Sequence, residues 1–114
     1  MGREHEKEVE RGIQTLFDSH HFPYWPSKIR TEDLNMRDAE KCILAQLYGS
    51  YMRGVGELYR EDRYGRGYLE WAMGNGFTLD SPYSHLWDAL TREWKLQLGE
   101  LQSEHYYREN TSSL

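Results

Sequence analysis

The stretch CILAQLYGSYMRGVGELY, residues 42–59, is the most apolar part of this chain and decides its fold. Apolar residues cover a wide arc of a helix in its first half, at Cys42, Ile43, Leu44, Leu47 and Tyr48. A helix with so broad an apolar arc is buried on most sides. Asp38 is a suitable N-cap, and Gly49 can end the helix in the left-handed conformation. We therefore predict a central, buried helix from Asp38 to about Tyr48.

The second half of the stretch, Tyr51 to Arg60, also predicts a helix, although it contains Gly54 and Gly56. Together the two glycines cost about 2 kcal/mol of helix propensity relative to alanine. Residues two apart do not share a helix face. The pair therefore marks either a break in the helix or a close approach of another backbone.

The elements around this stretch also favour helices. Val9, Ile13 and Leu16 have helical spacing within residues 4–18. Two prolines end that helix before an aromatic loop, SHHFPYWPS (19–27), which we expect to fold back over the core. Residues 29–36 alternate weakly, so residues 34–36 are a candidate for a very short β bridge with residues 77–79.

The C-terminal third predicts two more helices. A short one spans residues 68–73 and closes on GNG (74–76), a signal for a left-handed cap. A long one has Ser81 as N-cap and Pro82 at its first position, and runs to about residue 103. The predicted fold is mainly α: a compact bundle of four to five helices, with or without the β bridge. It forms a single domain over residues 1–109, and residues 110–114 form a frayed tail.

Composition limits the classes of function. Hydrophobic residues make up 38% and charged residues 29%, a balance close to that of disordered chains. The 14% of aromatic residues favours a folded core. A net charge of −5 opposes a general affinity for nucleic acid. A single cysteine cannot form an internal disulfide, which fits a reducing cytosol. No apolar run reaches the length of a membrane span, and the charged start MGREHEKEVER is unlike a signal peptide. We expect a cytoplasmic protein.

The combination of CILAQLYGSYMRG, NGF and YSHLWDALTREWKLQL resembles a group of small hypothetical proteins from actinobacteria and their phages. The matching residues, within a region of about 9–98, are Cys42, Leu44, Gln46, Gly49, Gly76, Phe77, Tyr83, Leu90 and Trp94. The resemblance implies a phage-linked accessory protein, in the host cytoplasm if phage-encoded, and it supplies no catalytic residue. The chain departs from the group in YREDRYGRGYLEW (59–71) and in its C-terminal extension.

Two residues of the central helix allow more than one interpretation. Cys42 near a helix N-terminus could be a nucleophile, but no signature places a histidine beside it, and burial for packing is the favoured interpretation. A buried Gln46 amide needs hydrogen bonds. It either ties its helix to the loop 22–25 or to a short strand, or it contacts a ligand. We predict a structural core motif of Cys42, Leu44, Gln46, Leu47, Gly49, Leu90 and Trp94.

Metal binding and catalysis have little support in the sequence. His20 and His21 lie close to Asp18, but the side chains of adjacent residues diverge, and no second cluster has zinc-site spacing. No acid–base pair or nucleophile–base arrangement stands out. We therefore predict no catalytic residues, no metal and no cofactor.

A basic, aromatic segment is the strongest candidate for binding. Arginine and tyrosine side chains alternate within it and are common at protein interfaces, while Glu57, Glu61 and Asp62 can neutralise part of it. An exposed tryptophan could extend the surface. The candidate residues are Trp25, Arg53, Arg60, Arg63, Tyr64, Arg66 and Tyr68.

These residues predict a non-enzymatic accessory protein that binds a host or phage protein. The alternative is a small-molecule protein that binds or sequesters a nucleotide-like ligand between arginines and aromatic rings. An enzyme is third. A homodimer is compatible with spare aromatic surface.

Overall fold

The computed structural model describes the backbone of residues 2–61 and 67–112, and the side chains of residues 2–60 and 67–103. Over these residues the chain forms helices and no β-strand, which confirms the predicted mainly α fold. In chain order the α-helices are α1 (Glu6–Ser19), α2 (Trp25–Lys28), α3 (Ile43–Tyr48), α4 (Tyr51–Glu61), α5 (Tyr68–Gly74) and α6 (Ser84–Ser112), with a 3-10 turn at Thr31–Asp33.

Helix α3 is the central, buried helix that the sequence predicts, but it begins later than Asp38. The Asp38 carboxylate accepts a hydrogen bond from the Glu40 N–H at 2.8 Å, and its carbonyl accepts one from the Cys42 N–H at 2.9 Å. Both bonds would also suit a helix cap, but the extended backbone of Cys42 separates the turn at residues 38–42 from α3, so Cys42 is the N-cap of the helix. Ile43 and Leu44 are fully buried. The helix ends at Gly49, whose φ of 96° favours glycine.

Helix α4 packs against α3 through one of its two glycines. A Cβ at Gly54 would lie 2.7 Å from the Leu44 Cβ and 3.0 Å from the Tyr48 ring. A Cβ at Gly56 would have nothing within 4 Å. The helix is not broken, so of the two interpretations of this glycine pair the close approach is correct, and it occurs at Gly54.

The predicted β bridge between residues 34–36 and 77–79 is wrong. The Asn35 N–H donates to the Lys41 carbonyl, and the Met36 N–H donates to the Thr91 hydroxyl at 2.9 Å. The Phe77 N–H donates to the Ala72 carbonyl at 2.9 Å and caps α5. These backbone donors are satisfied elsewhere, and the two segments form no strand.

Helix α6 differs from its prediction at both ends. It starts at Ser84, three residues after the predicted N-cap, and the Ser81 hydroxyl accepts from the Tyr83 N–H ahead of the helix. It continues to Ser112, so residues 110–112 of the predicted tail are helical, and 113–114 lie outside the described residues. Leu90, Trp94 and Leu98 are fully buried.

The core forms where α1 and the turn after α5 meet α6. The Trp94 indole donates to the Gly76 carbonyl at 2.6 Å, and its ring stacks on Phe77 with centroids 6.0 Å apart. Gly76 has a φ of 66°, as its predicted cap requires. A Cβ at Gly12 of α1 would collide with the Asn75 carbonyl and lie 2.9 Å from the Trp94 ring. Glycine at this position therefore lets α1 lie directly on the core.

Candidate interaction surface

The predicted core motif is placed largely as expected. Leu44, Leu90 and Trp94 are fully buried, Leu47 packs against the core while partly buried, and Gly49 is the exposed end of α3. Cys42 is also buried. Burial raises the pKa of its thiol, and the backbone N–H groups of α3 offset only part of this increase. A thiol in this environment favours packing over nucleophilic chemistry.

The side-chain amide of Gln46 ties α3 to the backbone of Arg30, which is in an extended conformation. Its Oε1 accepts from the Arg30 N–H at 2.7 Å, and its Nε2 donates to the Arg30 carbonyl at 3.2 Å and to the Lys41 carbonyl at 3.3 Å. The sequence predicted a structural tie, but to the loop 22–25 or to a strand. Both polar atoms of the amide are occupied within the chain, which favours this role over a ligand contact.

Trp25 cannot contribute to a binding surface, so that prediction is wrong. Part of the predicted aromatic loop is helix α2, which packs against α6 and α3. Trp25 at its start has no exposed surface, and its ring meets Phe17 edge-on with centroids 5.4 Å apart. Trp71 and Trp94 are buried and Trp87 is partly buried, so none of the four tryptophans is an exposed anchor.

A row of aromatic side chains connects the surface with the core. Tyr68 contacts Tyr59 with ring centroids 4.4 Å apart, and Tyr59 contacts Trp71 at 5.7 Å. Trp71 lies 5.6 Å from Phe77, which stacks on Trp94. Tyr68, at the outer end, is 57% exposed. Its ring is exposed and yet supported from beneath by packed rings.

The surface at the outer end of this row combines apolar and basic side chains. We call it the α4–α5 face and define it as Met52, Arg53, Gly56, Tyr59, Arg60, Tyr68 and Leu69. Met52, Gly56 and Tyr59 are spaced by four and three residues and so lie on one side of α4. Since Gly56 has no side chain, it leaves a notch between Met52 and Tyr59. Of the predicted binding residues, Arg53, Arg60 and Tyr68 lie on this face, and Arg63, Tyr64 and Arg66 lie outside the described residues.

A second polar cluster, which the sequence did not predict, joins the N-terminal residues to α6. The Arg3 guanidinium binds both carboxylate oxygens of Glu93, at 2.9 and 3.1 Å, although Glu93 is buried. Arg3 also pairs with Glu6 at 2.9 Å. The Gln97 amide donates to Glu93 at 2.7 Å and to the Glu6 carbonyl at 3.1 Å. Glu93 and Gln97 recur at helical spacing among Leu90, Trp94 and Leu98, which was the available signal that they face inward.

This cluster predicts a specific loss of stability in acid. Burial raises the pKa of Glu93, but hydrogen bonds from Arg3 and Gln97 and the positive charge of Arg3 outweigh it and lower the pKa overall. A carboxyl whose pKa is lowered by folding stabilises the protein at neutral pH, and this contribution is lost as the pH falls below about 5. Urea unfolding measured from pH 7 to pH 3 should therefore show a steeper decline for the wild type than for Glu93→Gln. The exposed substitution Glu40→Gln is the control and should keep the wild-type slope; equal slopes for wild type and Glu93→Gln would contradict the prediction.

No described helix has both the length and the apolar composition needed to cross a membrane. No protein-family model, curated protein or solved structure matches this chain.

Proposed function

We propose that this chain is a non-enzymatic accessory protein that acts by binding another protein through its α4–α5 face. The observation that carries the proposal is Tyr68, which is 57% exposed while its ring packs on Tyr59. A side chain that is already held in place loses little conformational entropy on binding. Tyrosine and arginine are also the residue types that most often dominate the binding energy of protein interfaces.

The chemistry of the face indicates what it would bind. Met52 and Leu69 are exposed apolar side chains, and the notch at Gly56 can accept an apolar side chain of a partner. Arg53 and Arg60 lie seven residues apart on α4 and so share a side of the helix beside the notch. A partner segment with an apolar anchor next to a carboxylate would match both features. The resemblance to proteins of actinobacteria and their phages supports a host or phage protein in the cytoplasm as this partner.

The alternative, a nucleotide-like ligand, is less well supported by the same rings. Tyr59 and Tyr68 already contact each other with centroids 4.4 Å apart, so a base cannot stack between them without separating the pair. Tyr68 is 57% exposed whereas Tyr59 is partly buried, so the outer side of Tyr68 is where a base could stack. Stabilisation of the protein against heat by a nucleotide would favour this alternative over a protein partner.

The proposal predicts that Tyr68→Ala weakens capture of the partner. Wild type, Tyr68→Ala and Tyr83→Ala would each be immobilised and exposed to actinobacterial lysate, and bound proteins quantified by mass spectrometry. Tyr83 is a matched control, because it is 62% exposed but lies before α6. Loss of a central anchor should reduce capture by about tenfold or more. A partner retained equally by all three proteins, or no partner above background, would contradict the proposal.

A further inference from the structure

A groove of about 440 Å³ lies between α1 and α6, away from the residues of the α4–α5 face. Each helix contributes one glutamate and one aliphatic side chain to it: Glu10 and Ile13 from α1, and Glu100 and Leu101 from α6. Gln97 also lines the groove. Its volume is within the range of small-ligand sites, about 300–1,000 Å³.

Gln97 supplies a polar atom that the fold does not use. The residue is only 8% exposed, and its Nε2 donates to the Glu93 carboxylate and to the Glu6 carbonyl. Because both partners are acceptors, the orientation of the amide is fixed. Its Oε1 accepts no hydrogen bond from the described residues. It is also not one of the side-chain atoms among them that are both fully buried and without a partner, so some of its surface is accessible. Because Gln97 lines the groove, we take this oxygen as an acceptor for a donor bound there.

Apart from the Gln97 Nε2, which already donates to Glu6 and Glu93, the polar side-chain groups that line the groove are acceptors. Glu10 and Glu100 are exposed carboxylates on opposite helices, and the Gln97 oxygen is a third acceptor. A ligand that fits must therefore donate hydrogen bonds and carry positive charge. Ile13 and Leu101 add an apolar surface, which favours a ligand with a hydrocarbon body. Because each helix contributes a carboxylate, a ligand with two separated positive charges is favoured over a ligand with one.

We propose that this groove binds a linear aliphatic polyamine. One ammonium group pairs with Glu10 and another with Glu100, and the methylene chain covers Ile13 and Leu101. One of the ammonium groups also donates to the Gln97 oxygen. A lysine side chain of a partner protein offers the same hydrocarbon body but a single charge, so it would engage only one of the two carboxylates. The site is independent of the partner surface on α4 and α5.

Spermidine is the probe for this site, titrated into the full chain at low ionic strength and followed by NMR. Saturable shifts are expected for the backbone amides of residues 10, 13, 97, 100 and 101 and for the Gln97 side-chain amide. Glu10→Gln/Glu100→Gln should weaken binding by at least about tenfold. Glu40→Gln/Glu70→Gln is the matched control, since it removes the same charge from exposed glutamates outside the groove, and it should bind like the wild type. Circular dichroism would verify that each variant is folded.

Four outcomes would overturn the proposal. The first is the absence of saturable shifts at the groove. The second is equal weakening in both double variants, which would mean that net charge alone attracts the amine. The third is a lysine-rich peptide that binds the groove more tightly than spermidine, which would make a protein segment the occupant. Butylamine tests the need for two charges: it should bind more weakly than spermidine in the wild type, and equal affinity would also count against the proposal.

Discussion

Gly12→Ala is expected to lower the free energy of unfolding by about 2 kcal/mol or more. A methyl group there would collide with the Asn75 carbonyl and press on the Trp94 ring. Overpacking of this kind costs about 1–3 kcal/mol, and more where backbone must move. The Asn75 carbonyl is backbone, and Trp94 is fixed by its hydrogen bond to Gly76. Alanine's better helix propensity, worth about 1 kcal/mol, offsets only part of this cost.

Urea unfolding of the purified protein would measure the effect of Gly12→Ala, with Gly99→Ala as its control. Gly99 is also within a helix, but a Cβ there would have nothing within 4 Å. Gly99→Ala should therefore gain about 0.5–1 kcal/mol from helix propensity alone. If both variants were stabilised, the close packing of α1 on the core would be refuted.

Gly54→Ala should destabilise the protein by about 1–3 kcal/mol, because α3 would have to move away from α4. The nearest atom to the new methyl group is the Leu44 Cβ at 2.7 Å, which is fixed to the backbone of a fully buried residue. The Tyr48 ring, 3.0 Å away, blocks the new methyl group on another side. Thermal and urea unfolding would both detect the change.

The same helix contains the control for this second prediction. Gly56→Ala places a methyl group where nothing lies within 4 Å, so it should stabilise α4 by about 0.5–1 kcal/mol. The two substitutions are chemically identical and two residues apart, and their effects should have opposite signs. A shared sign would mean that helix propensity, and not the contact with α3, governs this region.

The elements that could be predicted from sequence are those in which local signals agree with burial. Several signals agree at α3: its apolar arc, the glycine at its end and the amphipathic helix that follows. They predict a buried helix followed by a second one, and the structure contains both. The start of α3 could not be predicted, because Asp38 is equally suited to cap a helix or to make a turn. The hydrogen bonds that Asp38 makes suit either structure, and it is the extended backbone of Cys42 that ends the turn and delays the start of α3.

Long-range partners account for the other errors. Residues 34–36 alternate as a strand would, but the Met36 N–H is satisfied by Thr91, 55 residues away. Trp25 lies between two prolines in the predicted aromatic loop, and only its packing in the core shows that it is no surface residue. Local patterns carry no information about such distant contacts, because they depend on how the helices are placed relative to one another.

The candidate site was predictable only in part for a related reason. Arginine and tyrosine types indicated the α4–α5 face, and Arg53, Arg60 and Tyr68 lie on it. The support of Tyr68 by Tyr59 depends on how α5 packs on α4, which spacing does not specify. The groove between α1 and α6 requires two helices that are far apart in sequence, so no window of residues indicates it.

The bond between Arg3 and Glu93 has a consequence for how the protein is made. Ninety positions separate the two residues, and α1 leaves the ribosome long before α6 is translated. Until then the inner side of α1, with Val9, Gly12 and Leu16, lacks Trp94 and the rest of its α6 contacts. We therefore expect the nascent chain to complete its core only after α6 emerges. Until then its uncovered apolar side chains must be shielded from aggregation.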